Sequence, residues 1–135
     1  MITGGCLCGK VTYQVTGPLR PVVACHCSQC RKTSGHHVAA TACHRADLQI
    51  SGAPAWFRSS DTARRGFCGV CGSNLFWDSN DAQMISIFAG TINGKTGLRL
   101  WGHIFCADKG DYYDIADDLP HAPGAYEKLT GLSDK

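Results

Sequence analysis

The chain has 135 residues, 44% of them hydrophobic and 18% charged, a balance that excludes a disordered chain and suits one folded domain over residues 1–135. A formal net charge of +2 is too small to argue for nucleic acid or an anionic membrane as the main partner. No stretch approaches the roughly 18 apolar residues of a membrane span, and the start at Met1 shows no basic and apolar leader, so the expectation is a soluble, cytoplasmic protein.

In chain order, residues 11–15 alternate apolar and polar side chains, the period of a half-buried strand, before Gly17 and Pro18 break it. Residues 37–42, 48–50 and 55–58 read as further strands, the last carrying Trp56 and Phe57. Residues 75–77, 84–88 and 100–106 complete the set and are rich in aromatic and β-branched side chains. Short helical turns are expected after Cys27, at 112–116 and at 125–129. No long stripe of helical period is present. The sum is a mainly β protein with a few short helical turns; an α+β domain with one genuine helix is the alternative.

Nine cysteines dominate the chemistry. A reducing compartment disfavours structural disulfides, and an odd number would strand one thiol, so metal is the expected use. Cys6 and Cys8, then Cys68 and Cys71, form two short pairs, each followed by a glycine (Gly9, Gly72). A glycine there can take positive φ and let the backbone curl round an ion. Two such pairs supply the four thiolates of a closed tetrahedral zinc site.

Cys25, Cys27 and Cys30 offer three thiolates within six residues and no fourth partner at standard spacing. Three ligands plus one open position is the layout of a catalytic zinc. Completion by His26, His36, His37 or Cys43 would instead close it as a structural site. An open zinc with three thiolates has one net negative charge, which makes it poor at activating water and better suited to a soft thiol ligand. A fourth thiolate would need cations nearby, and Arg31 and Lys32 follow Cys30 directly. Cys43 and Cys106 lie in strand-like runs and read as buried, apolar-type cysteines.

Three stretches, Gly5-Cys6-Leu7-Cys8-Gly9-Lys10-Val11-Thr12-Tyr13, Cys25-His26-Cys27-Ser28-Gln29-Cys30-Arg31-Lys32 and Phe67-Cys68-Gly69-Val70-Cys71-Gly72-Ser73-Asn74-Leu75, together resemble the glutathione-dependent formaldehyde-activating (GFA) family, which shares its domain with centromere protein V. His103 to Lys109 and Asp117-Asp118-Leu119-Pro120 extend the likeness, which spans about residues 4–120. The resemblance implies a zinc-bound β-tent of small antiparallel sheets. It implies a structural zinc on Cys6, Cys8, Cys68 and Cys71, and a second zinc on Cys25, Cys27 and Cys30 where chemistry occurs. The implied reaction is that of a carbon–sulfur lyase or synthase joining glutathione and formaldehyde as S-hydroxymethylglutathione, with two zinc ions per chain and a small-molecule thiol as partner. A non-catalytic zinc-stabilised domain that binds a macromolecule is the alternative. The chain departs from the pattern at His36-His37, Asn93 and Cys106; the two histidines stand where they can close the second zinc or act as acid–base groups.

Overall fold

Two hairpins hold the paired cysteines. In the computed structural model, which describes residues 1–80 and 82–125, β1 (Ile2–Gly5) turns back into β2 (Thr12–Val15), with Ile2 opposite Val15. β7 (Ala63–Phe67) turns back into β8 (Asn74–Ser79). Between them come β3 (Val22–Cys25), β4 (Val38–His44), β5 (Leu48–Ser51) and β6 (Ala55–Arg58). β9 (Met84–Phe88) and β10 (Leu100–Ile104) follow. The described residues contain one α-helix, α1 (Ser28–Ser34), and 3-10 turns at Arg45–Asp47, Ala89–Thr91 and Cys106–Asp108.

The strands form a three-stranded sheet, β1-β2-β5, and a seven-stranded sheet, β10-β3-β4-β9-β8-β7-β6. All pairs are antiparallel except β10 with β3, where Ile104 faces Cys25. The fold is mainly β, as expected. Every anticipated strand is present, some with shifted ends. β10 stops two residues early because Phe105 takes a left-handed conformation, φ 55°, which an extended strand cannot continue through. Cys106 therefore opens a 3-10 turn, half-buried, and is not a strand cysteine. Residues 112–116 form no helical turn. Of the turn expected at 125–129, all but Ala125 lies outside the described residues.

The core lies where the two sheets meet. Val11, Tyr13 and Val15 pack against Leu75 and Phe76 of β8 and Ile85 and Ile87 of β9, with Cys43 among them. The Tyr13 and Phe76 rings meet edge-on at 5.5 Å, and the buried Tyr13 hydroxyl is satisfied by Thr91 Oγ1 at 2.7 Å. Cys43 is fully buried in β4 and does not join the sulfurs of the second cluster.

One ion network braces the β7–β8 side. Asp78 is buried and pairs with Arg45 and, at 2.9 Å, with Arg64, whose guanidinium also stacks on Trp56 at 3.8 Å. Burial alone would raise the Asp78 carboxyl; the two arginines outweigh it and hold it below the usual carboxylate range. A depressed native pKa contributes stability that is present above the unfolded value, about 4, and is lost as pH falls through the native one. Asp78→Asn is expected to cost about 1–3 kcal/mol at neutral pH, and in denaturant melts its difference from the parent should begin to shrink as pH falls below about 4 and vanish only below the depressed native value. A constant difference across that range would show that the network is not the source.

Candidate metal centres

The first cluster is built by the two hairpin turns. In the β1–β2 turn, Cys6 N–H donates to Val11 O at 2.9 Å and Gly9 N–H to Cys6 O at 3.2 Å. In the β7–β8 turn, Cys68 N–H donates to Ser73 O at 3.0 Å and Gly72 N–H to Cys68 O at 2.8 Å. Gly9 and Gly72 take φ of 82° and 80°, the conformation the sequence reading requires of them. The turns are tied together by Leu7 N–H donating to Ser73 Oγ at 2.9 Å.

Cys6, Cys8, Cys68 and Cys71 thereby converge, with their sulfurs mutually within 4.8 Å. Cys6 Sγ lies 3.6 Å from Cys8 Sγ, which lies 3.7 Å from Cys68 Sγ. A disulfide needs about 2.05 Å, and all nine cysteines are free. Zinc–sulfur bonds of about 2.3 Å set tetrahedral sulfurs about 3.8 Å apart, so the spacing fits that ion. The Val11 N–H points at Cys6 Sγ from 3.3 Å and lowers that thiol, and the Val70 N–H lies 3.4 Å from Cys68 Sγ. Hydrogen bonds from Ser73 pull the Cys71 thiol down to about 5.

The second cluster sits where β3 enters α1. Cys25 ends the strand, Cys27 caps the helix by accepting from Cys30 N–H at 3.3 Å, and Cys30 is the helix's buried residue. Gly35 closes the helix in the left-handed conformation, φ 81°. The three sulfurs also lie within 4.8 Å of one another, and no fourth metal-ligating side chain joins them among the described residues. The shared hydrogen bond with Cys25 is the main cause pulling the Cys30 thiol down to about 6, with Arg65 adding to it, while Cys25 is pushed up.

None of the candidate fourth ligands joins the three sulfurs. His26 points away from the sulfurs, its Nδ1 at 2.5 Å from the Tyr113 hydroxyl and its Nε2 at 2.9 Å from His103 Nδ1. The His36 and His37 rings pack at a tilt against each other and against Tyr113, and His37 Nδ1 is buried with no hydrogen-bond partner. Burial is the first cause that lowers His37, and it lowers His26 to about 4, so both are neutral at pH 7.

The cation with a hydrogen bond to the cluster is one that the sequence reading did not single out. Lys32 is exposed on α1. Arg65 of β7 instead reaches in, its Nη2 donating to Cys30 Sγ at 3.5 Å and its Nε to Gln29 Oε1 at 3.3 Å. It is only 8% exposed, pairs with no carboxylate among the described residues, and leaves Nη1 buried without a partner. Arg65 lies 35 residues from Cys30 in the chain; β-sheet pairing against Trp77 is what orients it, so no local motif announces it.

Both Arg65 and the three cysteines line a cavity of about 480 Å³, with Arg20, Trp77 and Phe88 on its walls. Arg20 donates to Ala40 O at 3.1 Å, and burial pulls its guanidinium down to about 10. The cavity therefore sets three soft sulfur donors, which could hold a metal, with two arginines, and suits a small anionic or polarisable ligand.

The fold has a solved counterpart: the crystal structure of a Rhodobacter sphaeroides protein, a structural-genomics target, is similar with a TM-score of 0.61 and 21% identity, covering 75% of this chain and 98% of that one. At that identity the likeness speaks for the fold alone. No match is found among curated proteins. No helix among the described residues is long and apolar enough to cross a membrane. The family model described as glutathione-dependent formaldehyde-activating enzyme matches residues 1–108, and with both cysteine clusters assembled in the fold, this chain belongs to the GFA family.

Proposed function

We propose that the chain is a two-zinc enzyme of the cytoplasm that makes or breaks the carbon–sulfur bond between a glutathione-type thiol and a small aldehyde. One zinc, on Cys6, Cys8, Cys68 and Cys71, would be structural, and the other, on Cys25, Cys27 and Cys30, would serve the reaction. The observation that carries this reading is the second cluster: three sulfurs, no fourth ligating side chain among the described residues, and a buried arginine against them on the wall of a 480 Å³ cavity.

A zinc bound by three thiolates supplies a soft site that holds a thiol deprotonated. The protein's own groups do the rest. Cys25, Cys27 and Cys30 fix the donor set at the junction of a strand and a helix, where two rigid elements limit its movement. Arg65 offsets the negative charge that an added thiolate brings. In the synthetic direction the sulfur attacks the carbonyl carbon, one carbon–sulfur bond forms, and the π pair moves to the oxygen, which takes a proton from solvent. The free Arg65 Nη1–H is a donor for that oxygen. Trp77, Phe88 and Val23 on the cavity walls reduce water around the reacting groups.

Cobalt substitution tests the reading. In the cobalt-loaded protein, millimolar glutathione is expected to shift the sulfur-to-cobalt bands of the second cluster, and Cys27→Ser is expected to abolish both the shift and the reaction while the folding transition stays. An unperturbed spectrum would leave only a metal-stabilised binding scaffold. Equal folding damage from Cys27→Ser and Cys71→Ser would make both clusters structural.

A further inference from the structure

Beyond the cysteines, a group of nitrogen and oxygen donors lies where the chain returns past β10. His103, Asp117 and His121 each place one donor atom within 4.8 Å of the others. Backbone pairing sets this up. His103 N–H donates to Pro120 O and Ala122 N–H donates to His103 O, both at 2.9 Å, so His103 and His121 stand side by side across a parallel bridge. Their rings are 5.1 Å apart, centroid to centroid. Asp117 lies between them, Oδ2 at 2.8 Å from His103 Nε2 and Oδ1 at 3.5 Å from His121 Nε2. Leu119 N–H donates to the same Oδ1 at 3.0 Å and fixes the carboxylate.

These separations suit a metal. Zinc bonds of about 2.0–2.2 Å to nitrogen and oxygen put tetrahedral donors about 3.3–3.6 Å apart; the observed 3.5 Å falls in that range, and the hydrogen-bonded 2.8 Å pair needs to open by only about half an ångström. The remaining nitrogen of His103 is held by His26, itself held by Tyr113. A metal-bound histidine characteristically has its second nitrogen fixed in this way. Without metal, Tyr113 O–H donates to His26, His26 Nε2–H to His103, and His103 Nε2–H to Asp117. With metal on His103 Nε2, each ring shifts its single proton to Nδ1, so that His103 donates to His26 and His26 to the Tyr113 oxygen. Neither ring changes charge, and no donor or acceptor along the line is left facing its own kind.

We infer that His103, Asp117 and His121 form a third metal site, for a borderline divalent ion such as zinc, cobalt or nickel. Two imidazoles and one carboxylate match such ions, whereas magnesium and calcium require oxygen donors throughout. Three ligands at an exposed edge bind more weakly than four thiolates, so this ion exchanges while the cysteine-bound ones stay. Its effect is to clamp residues 117–121 onto β10.

The full-length protein, with both cysteine clusters filled with zinc, is dialysed against micromolar free zinc, and metal is counted per chain. One further equivalent is expected. Asp117→Asn and His121→Ala, both at exposed side chains, are each expected to weaken that equivalent by at least about tenfold while retaining the cysteine-bound zinc. Added zinc should raise the thermal midpoint of the parent and not of the variants. Cobalt added to the zinc-filled protein should bind with weak visible bands and no sulfur charge transfer. No further equivalent in the parent, undiminished uptake in both variants, or sulfur charge transfer from the added cobalt would each overturn the site.

Discussion

Cys71→Ser is expected to remove most folded protein. The four-sulfur cluster ties the β1–β2 turn to the β7–β8 turn, Cys8 and Cys68 being 60 residues apart in the chain, and so closes the small sheet on the large one. Structural zinc contributes on the order of 10–16 kcal/mol in small finger peptides, against about 5–15 kcal/mol for the net stability of a whole domain. Losing one ligand forfeits a large part of that. It also leaves Cys6 and Cys68, both buried, as thiolates without their counter-charge. The expected result is insoluble protein, or soluble protein with a broadened transition and one zinc fewer. A strong chelator should reproduce it in the parent chain. A sharp, near-parental melt for Cys71→Ser would mean that the sheets hold together through the Tyr13, Leu75 and Phe76 core alone.

Arg65→Met is expected to damage the reaction and leave the fold almost unchanged. Methionine retains the packing of the arginine stem, and Arg65 has no carboxylate partner among the described residues that its removal would leave unpaired. Charge-assisted hydrogen bonds contribute about 1.5–3 kcal/mol, and about 1.4 kcal/mol is a factor of ten. Thiol affinity at the cobalt-substituted second cluster should therefore fall by about 10- to 100-fold, with the melting midpoint within a few degrees of the parent. Arg65→Lys should rescue only partly, since a compact ammonium cannot reach Cys30, Gln29 and the incoming group from one planar fork. Parental thiol binding in Arg65→Met would remove the arginine from the site's chemistry. A large loss of stability would instead assign it to packing beneath α1.

The cysteine clusters were legible in the sequence because each half-site is local. Cys6 with Cys8, and Cys68 with Cys71, lie within single hairpin turns, and the positive φ of Gly9 and Gly72 is a demand of the turn itself. Cys25, Cys27 and Cys30 likewise belong to one strand–helix junction whose N-cap is Cys27. The order of the three motifs carried the family. Strands with clear alternation or aromatic content were legible as well. Those that were not lack such a pattern: β1 is half glycine, β3 is a short apolar run buried beside β10 and β4, and β7 carries two arginines and a glycine.

What the sequence by itself determined is the two cysteine clusters, the family and the mainly β character, because ligand spacing and turn glycines are written within a few consecutive residues. Only the tertiary structure decided what surrounds those clusters. It set Arg65 against Cys30, turned His26 away to His103 and Tyr113, and gathered His103, Asp117 and His121 at one edge. Each of those contacts depends on sheet order and strand register, above all the parallel pairing of β10 with β3, and such long-range register leaves no periodic trace in the chain.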